Sequence, residues 1–223
     1  MNLKKILITI LTSYFILPLS ALAKTDYYIP ENFPKKYDKE YVTLIAPVYK
    51  SVSKEPVIFA AMDMLIGTNG EFSRNAILGN NLSQRPMKVE FKNLSEINEQ
   101  YANFDALGWK KGKHLYIYIN AKHKDAPPGA IAALLSHEAL HQDEYNSIAE
   151  ETYAWTMEAA VWSEILKMYP ESNENLHPLV TRENRLKQLF EKGNYSDKYI
   201  RKTVQSNKGY VNLPQTSPGF ENL

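Results

Sequence analysis

His137, Glu138 and His141 stand in the pattern His-Glu-x-x-His. Residues four apart share one face of a helix, so two imidazoles at this spacing can chelate one metal ion. The glutamate beside the first histidine then reaches a water on that metal, which is the chemistry of metal-assisted hydrolysis. Two histidines do not complete such a site, because a catalytic zinc takes three protein ligands and keeps one position open. The chain contains no cysteine. The third ligand is therefore a histidine or a carboxylate, and a cysteine nucleophile is excluded.

Three downstream carboxylates compete for that place: Glu150, Glu151 and Glu158. All lie close to the apolar face of a helix expected over 147–168, where a solvated run of charge would not sit. Ser147 followed by Glu150 matches a capping box, which offers Glu150 a structural duty. Glu151 has none, and the small Ala154 one turn on lets two helices approach. Glu151 is the preferred third ligand, with Glu150 as the alternative. Glu158, two turns along the same side, suits an acceptor for the ring N–H of a ligand histidine. Tyr145 and Tyr153, near in sequence, and His177, on a later loop, are candidate donors to a developing oxyanion. His114 and His123 read as structural.

His137-Glu138-Ala139-Leu140-His141 followed by Glu151-Thr152-Tyr153-Ala154 resembles the gluzincin branch of the zincin metallopeptidases, in a compact, minigluzincin-like form. The resemblance spans roughly residues 110–165. It implies a Zn2+ held by His137, His141 and Glu151, with Glu138 as general base towards a metal-activated water. It also implies a peptide or protein substrate, which could be a peptidoglycan stem peptide. The family often carries an acid four residues after the ligand glutamate. Trp155 occupies that position here, so the chain departs from the family's pattern for the group that orients a ligand histidine. Other readings are an amidase acting on cell-wall peptides and a catalytically inactive zincin-fold binding module.

These side chains need elements to position them. The stretch 114–120 is rich in aromatic and β-branched residues and predicts a strand, as does the alternation over 87–91. Residues 129–142 are apolar nearly all round, which predicts a buried helix carrying the motif. Further helices are expected over 56–65, 72–78, 182–192 and 197–205. Residues 104–109 could line a cleft but read more simply as a loop. Residues 24–39 predict an irregular lead-in and 206–223 a loose tail. The result is one α+β domain over 24–223, mainly helical with a small antiparallel sheet. The resemblance makes it zincin-like, with 114–120 as the edge strand that precedes the active helix and binds substrate.

The first 23 residues differ from the rest. A basic start, an apolar run over 6–17 and Ala21-Leu22-Ala23 together have the layout of a secretory signal peptide. Cleavage after Ala23 would leave a secreted or periplasmic chain with no stable membrane span. It would remove two lysines and no acid, taking the formal charge from +1 to −1. A balance so near neutral speaks against a nucleic-acid partner bound through a broad basic face.

Overall fold

Helix α4 (Pro128–Glu138) is buried along its whole length, and the rest of the chain is arranged to cover it. Its residues are small where neighbours press closest. A Cβ on Gly129 would lie 2.9 Å from both Ile165 Cγ2 and Ser172 Oγ, so only glycine admits the segment around Ile165 and Ser172 there. This is the architecture of a computed structural model that describes residues 26–80, 85–142, 145–174 and 176–221. The expected signal peptide lies outside the described residues. Among those described, no helix is long and apolar enough to cross a membrane.

In chain order the other helices are α1 (Lys39–Tyr49), α2 (Pro56–Met64), α3 (Glu71–Ile77), α5 (Ile148–Met168), α6 (Pro178–Lys192) and α7 (Lys198–Ser206). The strands are β1 (Lys88–Lys92), β2 (Ala106–Lys111) and β3 (His114–Asn120). The fold is mixed α+β, about 52% helical. Helix α2, buried from Val57 to Met64, packs on α4 and is flanked by α1, while α5 packs on α4 in its turn. Trp162 of α5 is fully buried, and its indole N–H donates to Asn184 Oδ1 at 3.0 Å. Burying each such large apolar side chain stabilises the fold by about 1.5–3 kcal/mol. A smaller core of Ile148, Leu186, Phe190, Ile200 and Val204 joins α5 to α6 and α7.

The sheet differs from the expectation in two ways. Its order is β1-β3-β2, with β1 parallel and β2 antiparallel to β3, so it is mixed rather than antiparallel. Strand β3 (114–120) is central, hydrogen-bonded on both sides, and has no free edge to offer a substrate. The edge strands are β1 and β2, and β2 contains most of the stretch read as a loop. Gly108 interrupts the apolar alternation there and hides the strand from a pattern reading.

Both ends of the chain are better anchored than their composition suggests. In the lead-in, Lys35–Tyr37 forms a 3-10 turn and Tyr37 is fully buried. Its hydroxyl, that of Tyr41 and the Lys36 ammonium all donate to Asp63 Oδ2 at 3.1–3.3 Å. The tail beyond α7, expected to be loose, is irregular but bonded to α5. Ile148 N–H donates to Pro214 O at 2.9 Å and Ala149 N–H to Gln215 O at 3.0 Å. Those amides open a helix and have no partners within it, so the tail supplies them.

Candidate metal centre

Helix α4 ends at Glu138, earlier than the expected 142. His141 lies on the turn that follows, where Leu140 N–H bonds to His137 O and His141 N–H to Glu138 O. The turn keeps the helical sense, and the two imidazole centres stay 5.1 Å apart. A Cβ on Gly108 would lie 2.9 Å from His141 Cβ and 3.1 Å from His141 O, so a glycine in β2 lets the sheet edge close over this turn.

Helix α5 brings Glu151 to the same point. Its Oε2 is 3.8 Å from His137 Nε2, and its Oε1 is 3.7 Å from His141 Nε2. Donors about 2.1 Å from a tetrahedral metal sit about 3.4 Å from one another, so these two contacts lie a few tenths of an ångström beyond that spacing. Among the described residues, His137, His141 and Glu151 are the only group whose ligand atoms converge this way, all within 4.8 Å of one another. Glu151 Oε2 is buried and has no hydrogen-bond partner. An orphaned carboxylate oxygen is costly unless a cation answers it, so the donor set fits a divalent metal ion.

Both histidines are aimed by a carboxylate. His137 Nδ1 is 3.0 Å from Glu158 Oε2, as the position of Glu158 on α5 suggested. His141 Nδ1 is 2.9 Å from Glu150 Oε1. A carboxylate only accepts, so each Nδ1 carries the hydrogen, and each Nε2 faces the centre as the nitrogen whose lone pair a neutral ring offers. The Glu158 carboxylate, three residues beyond Trp155, is the acid that holds the His137 ring.

The capping box is only half formed. Ser147 Oγ accepts from Glu150 N–H at 3.1 Å, but Glu150 does not reach back to Ser147. Asn146 Oδ1 takes the Ser147 amide at 2.7 Å, and Asn146 Nδ2 donates to Glu151 Oε1 at 2.6 Å. Asn146 does the work foreseen for Glu150, which frees that carboxylate for His141.

Charge builds up around this point, and the protein answers it. Burial alone would lower the His141 imidazole. The Glu150 hydrogen bond and the Glu151 and Glu138 carboxylates outweigh it and push it up to about 9. Burial raises the Glu138 carboxyl above its ordinary range, against the pull of both histidines. Burial would raise Glu158 too, but the Arg182 guanidinium and the His137 hydrogen bond hold it well below the usual carboxylate range. Arg182, from α6, donates to both oxygens of Glu158 and to Glu183, and its Nε lies 3.2 Å from Asp105 Oδ2.

The cluster opens onto a cleft of about 490 Å3 running along β2, walled by Tyr101, Trp109 and Tyr145 and by Tyr210 and Leu213 of the tail. A recess of about 280 Å3 adjoins it at His137 and Glu138, where Trp155 and Arg182 form the wall. Tyr210 lines both, edge-on to Trp155 with ring centres 6.1 Å apart. Burial pushes its hydroxyl up and the Glu151 charge adds to the shift, so the proton stays on. Sequence reasoning missed Tyr210, since nothing local marks an aromatic residue in a polar tail as part of a site.

Of the expected oxyanion donors, Tyr145 lines the cleft and the other two do not. Tyr153 packs on Phe220 with ring centres 5.9 Å apart, beside a separate groove. His177 caps α6, its Nδ1 accepting from Leu179 N–H at 3.1 Å. His123 is buried with Nε2 2.7 Å from Asp105 Oδ1, and His114 is exposed at the start of β3. Compared with known proteins, the chain matches no family model, no curated protein and no solved structure.

Proposed function

We propose that the chain is a zinc-dependent peptidase of zincin type, cutting peptide bonds in the cleft beside β2. The observation that carries this reading is the convergence of His137 Nε2, His141 Nε2 and the Glu151 carboxylate next to a buried Glu138 at the cleft floor. Two imidazoles and one carboxylate, with each imidazole tied by a carboxylate behind it, make a donor set suited to zinc.

A zinc ion held there would supply Lewis acidity towards a water and a peptide carbonyl. Glu138 Oε1 lies 3.9 Å from His137 Nε2, beside the ligand atoms without belonging to them. That is the position of a general base: its carboxylate takes a proton from the attacking water and returns it to the leaving amine. Tyr210 lines the cleft with its hydroxyl beside Glu151, and in this reading it would donate to the developing oxyanion. Strand β2 offers its free edge to an extended peptide, and Gly108 keeps that edge close to the reacting groups.

The test is metal content and hydrolysis of a diverse peptide library, including peptidoglycan stem peptides, by the purified chain with and without a chelator. One zinc per chain and cleavage abolished by chelation and restored by Zn2+ are expected. Glu138→Gln should keep the zinc and lose roughly 100-fold or more in rate. A chain that binds no zinc, or a Glu138→Gln variant as active as the parent, overturns the reading.

A further inference from the structure

The tail does more than cap α5. Ser217 Oγ is 2.8 Å from Glu150 Oε2 and 3.0 Å from Ser147 Oγ, and all three residues are buried. Counting donors sets one direction through this group. The Glu150 carboxylate only accepts, so the Ser217 proton points at Oε2. Ser147 Oγ already accepts the Glu150 amide, so its own proton goes to Ser217. The other Glu150 oxygen receives His141 Nδ1–H at 2.9 Å. One carboxylate is thus held at both ends, by the tail on one side and by a candidate ligand on the other. With Oε2 fixed, Oε1 has one place to be, and the His141 ring turns its Nε2 towards Glu151.

We propose that Ser217 is a positioning residue for the metal centre: through Glu150 it sets the orientation of His141, and the C-terminal tail is thereby part of the site. The proposal rests on the reading of the cluster as a metal centre. Removing the hydroxyl leaves Glu150 Oε2 buried without a partner and frees the carboxylate to rotate. The defect reaches His141 as a looser ligand rather than as a lost one.

The experiment measures Zn2+ affinity of the full chain by competition with a chromogenic chelator, and so does not depend on turnover. Ser217→Ala should weaken binding by about 10-fold or more, the scale of losses on removing groups that orient ligands. Ser217→Thr keeps the hydroxyl and should stay within about twofold of the parent. Phe220→Ala removes the packing of the tail on Tyr153 but leaves the hydroxyl, and should also bind zinc as the parent does. Ser217→Cys keeps the volume with a weak donor. It should show an intermediate loss, and it carries the test if the alanine variant does not fold. Parental affinity in Ser217→Ala or Ser217→Cys overturns the proposal, as does an equal loss in Phe220→Ala. A parent chain that binds no zinc overturns the metal centre itself, whereas a binding parent matched by Ser217→Ala removes only the role of Ser217.

Discussion

His141 Nδ1 and Glu150 Oε1 stand 2.9 Å apart, and this contact gives adjacent glutamates different work. Glu150 holds a histidine from behind, while Glu151 faces the centre with both histidine Nε2 atoms within 4 Å of its carboxylate. Glu151→Ala should therefore remove a ligand and with it most of the zinc affinity. Glu150→Ala should leave the ligands in place and weaken binding by about 10–100-fold. Chelator competition on the two variants decides the assignment, and a larger loss in Glu150→Ala would exchange their roles.

Gly108 is the point where the sheet meets the turn that carries His141. A methyl group there would press on His141 Cβ at 2.9 Å and on the His141 carbonyl at 3.1 Å. Neither atom is the end of a flexible chain, so strand or turn must shift. Gly108→Ala should cost about 1–3 kcal/mol in urea unfolding and lower zinc affinity as well. Gly112 provides the contrast. It has φ +61° at the β2–β3 hairpin and open space around its missing Cβ. Gly112→Ala should cost about 1–2 kcal/mol of backbone strain and leave zinc affinity unchanged. A Gly108→Ala protein with parental stability and affinity would show that β2 does not press on the site.

Features carried by local pattern were legible in the sequence, and features made by the path of the chain were not. Periodicity located α4 and α5, and the projection of Glu158 onto the face of Glu151 marked it as an acceptor for one of the two histidines, which the structure identifies as His137. The order β1-β3-β2 was not legible: β3 has the stronger strand signal, yet that signal reports burial on both sides rather than an edge. The tail was illegible for another reason. Pro214 and Gln215 hold α5 through backbone carbonyls, which any residue could supply. Tyr210 and Ser217 reach the site only because that path exists. Glu150 was misjudged because a capping box and an Asn at the preceding position compete for the same amide, and Asn146 wins.

Arg182 donates to two buried carboxyl groups at once, of which Glu158 is the one held in the charged form. Glu158 and Glu183 are both fully buried, and the Arg182 guanidinium donates to each. Burial and the Glu158 charge push Glu183 well above the ordinary carboxylate range, which shows how little solvent helps there. Arg182→Met should destabilise the metal-free protein by about 3–5 kcal/mol, because it strands charge rather than merely removing a contact. Adding Glu158→Gln should recover part of that loss. Urea unfolding of the three proteins checks this. A loss below about 1 kcal/mol would give the contacts only the value of an exposed ion pair.

Asp105 should make part of the stability acid-sensitive. Burial by itself would raise its carboxyl, but His123, Arg182 and Lys122 outweigh that and hold it below the usual range. A group whose folded pKa is depressed contributes stability that is complete above its unfolded value, about 3.9, and is lost as pH falls towards the folded one. Asp105→Asn removes that contribution. The stability gap between parent and variant should therefore be widest and constant above about pH 5, then narrow steadily below about pH 4. Urea unfolding from pH 2 to 7, with chelator present so that metal loss does not intrude, measures the gap. A gap that stays constant into acid, or widens there, would mean that the Asp105 ion pairs do not stabilise the folded chain.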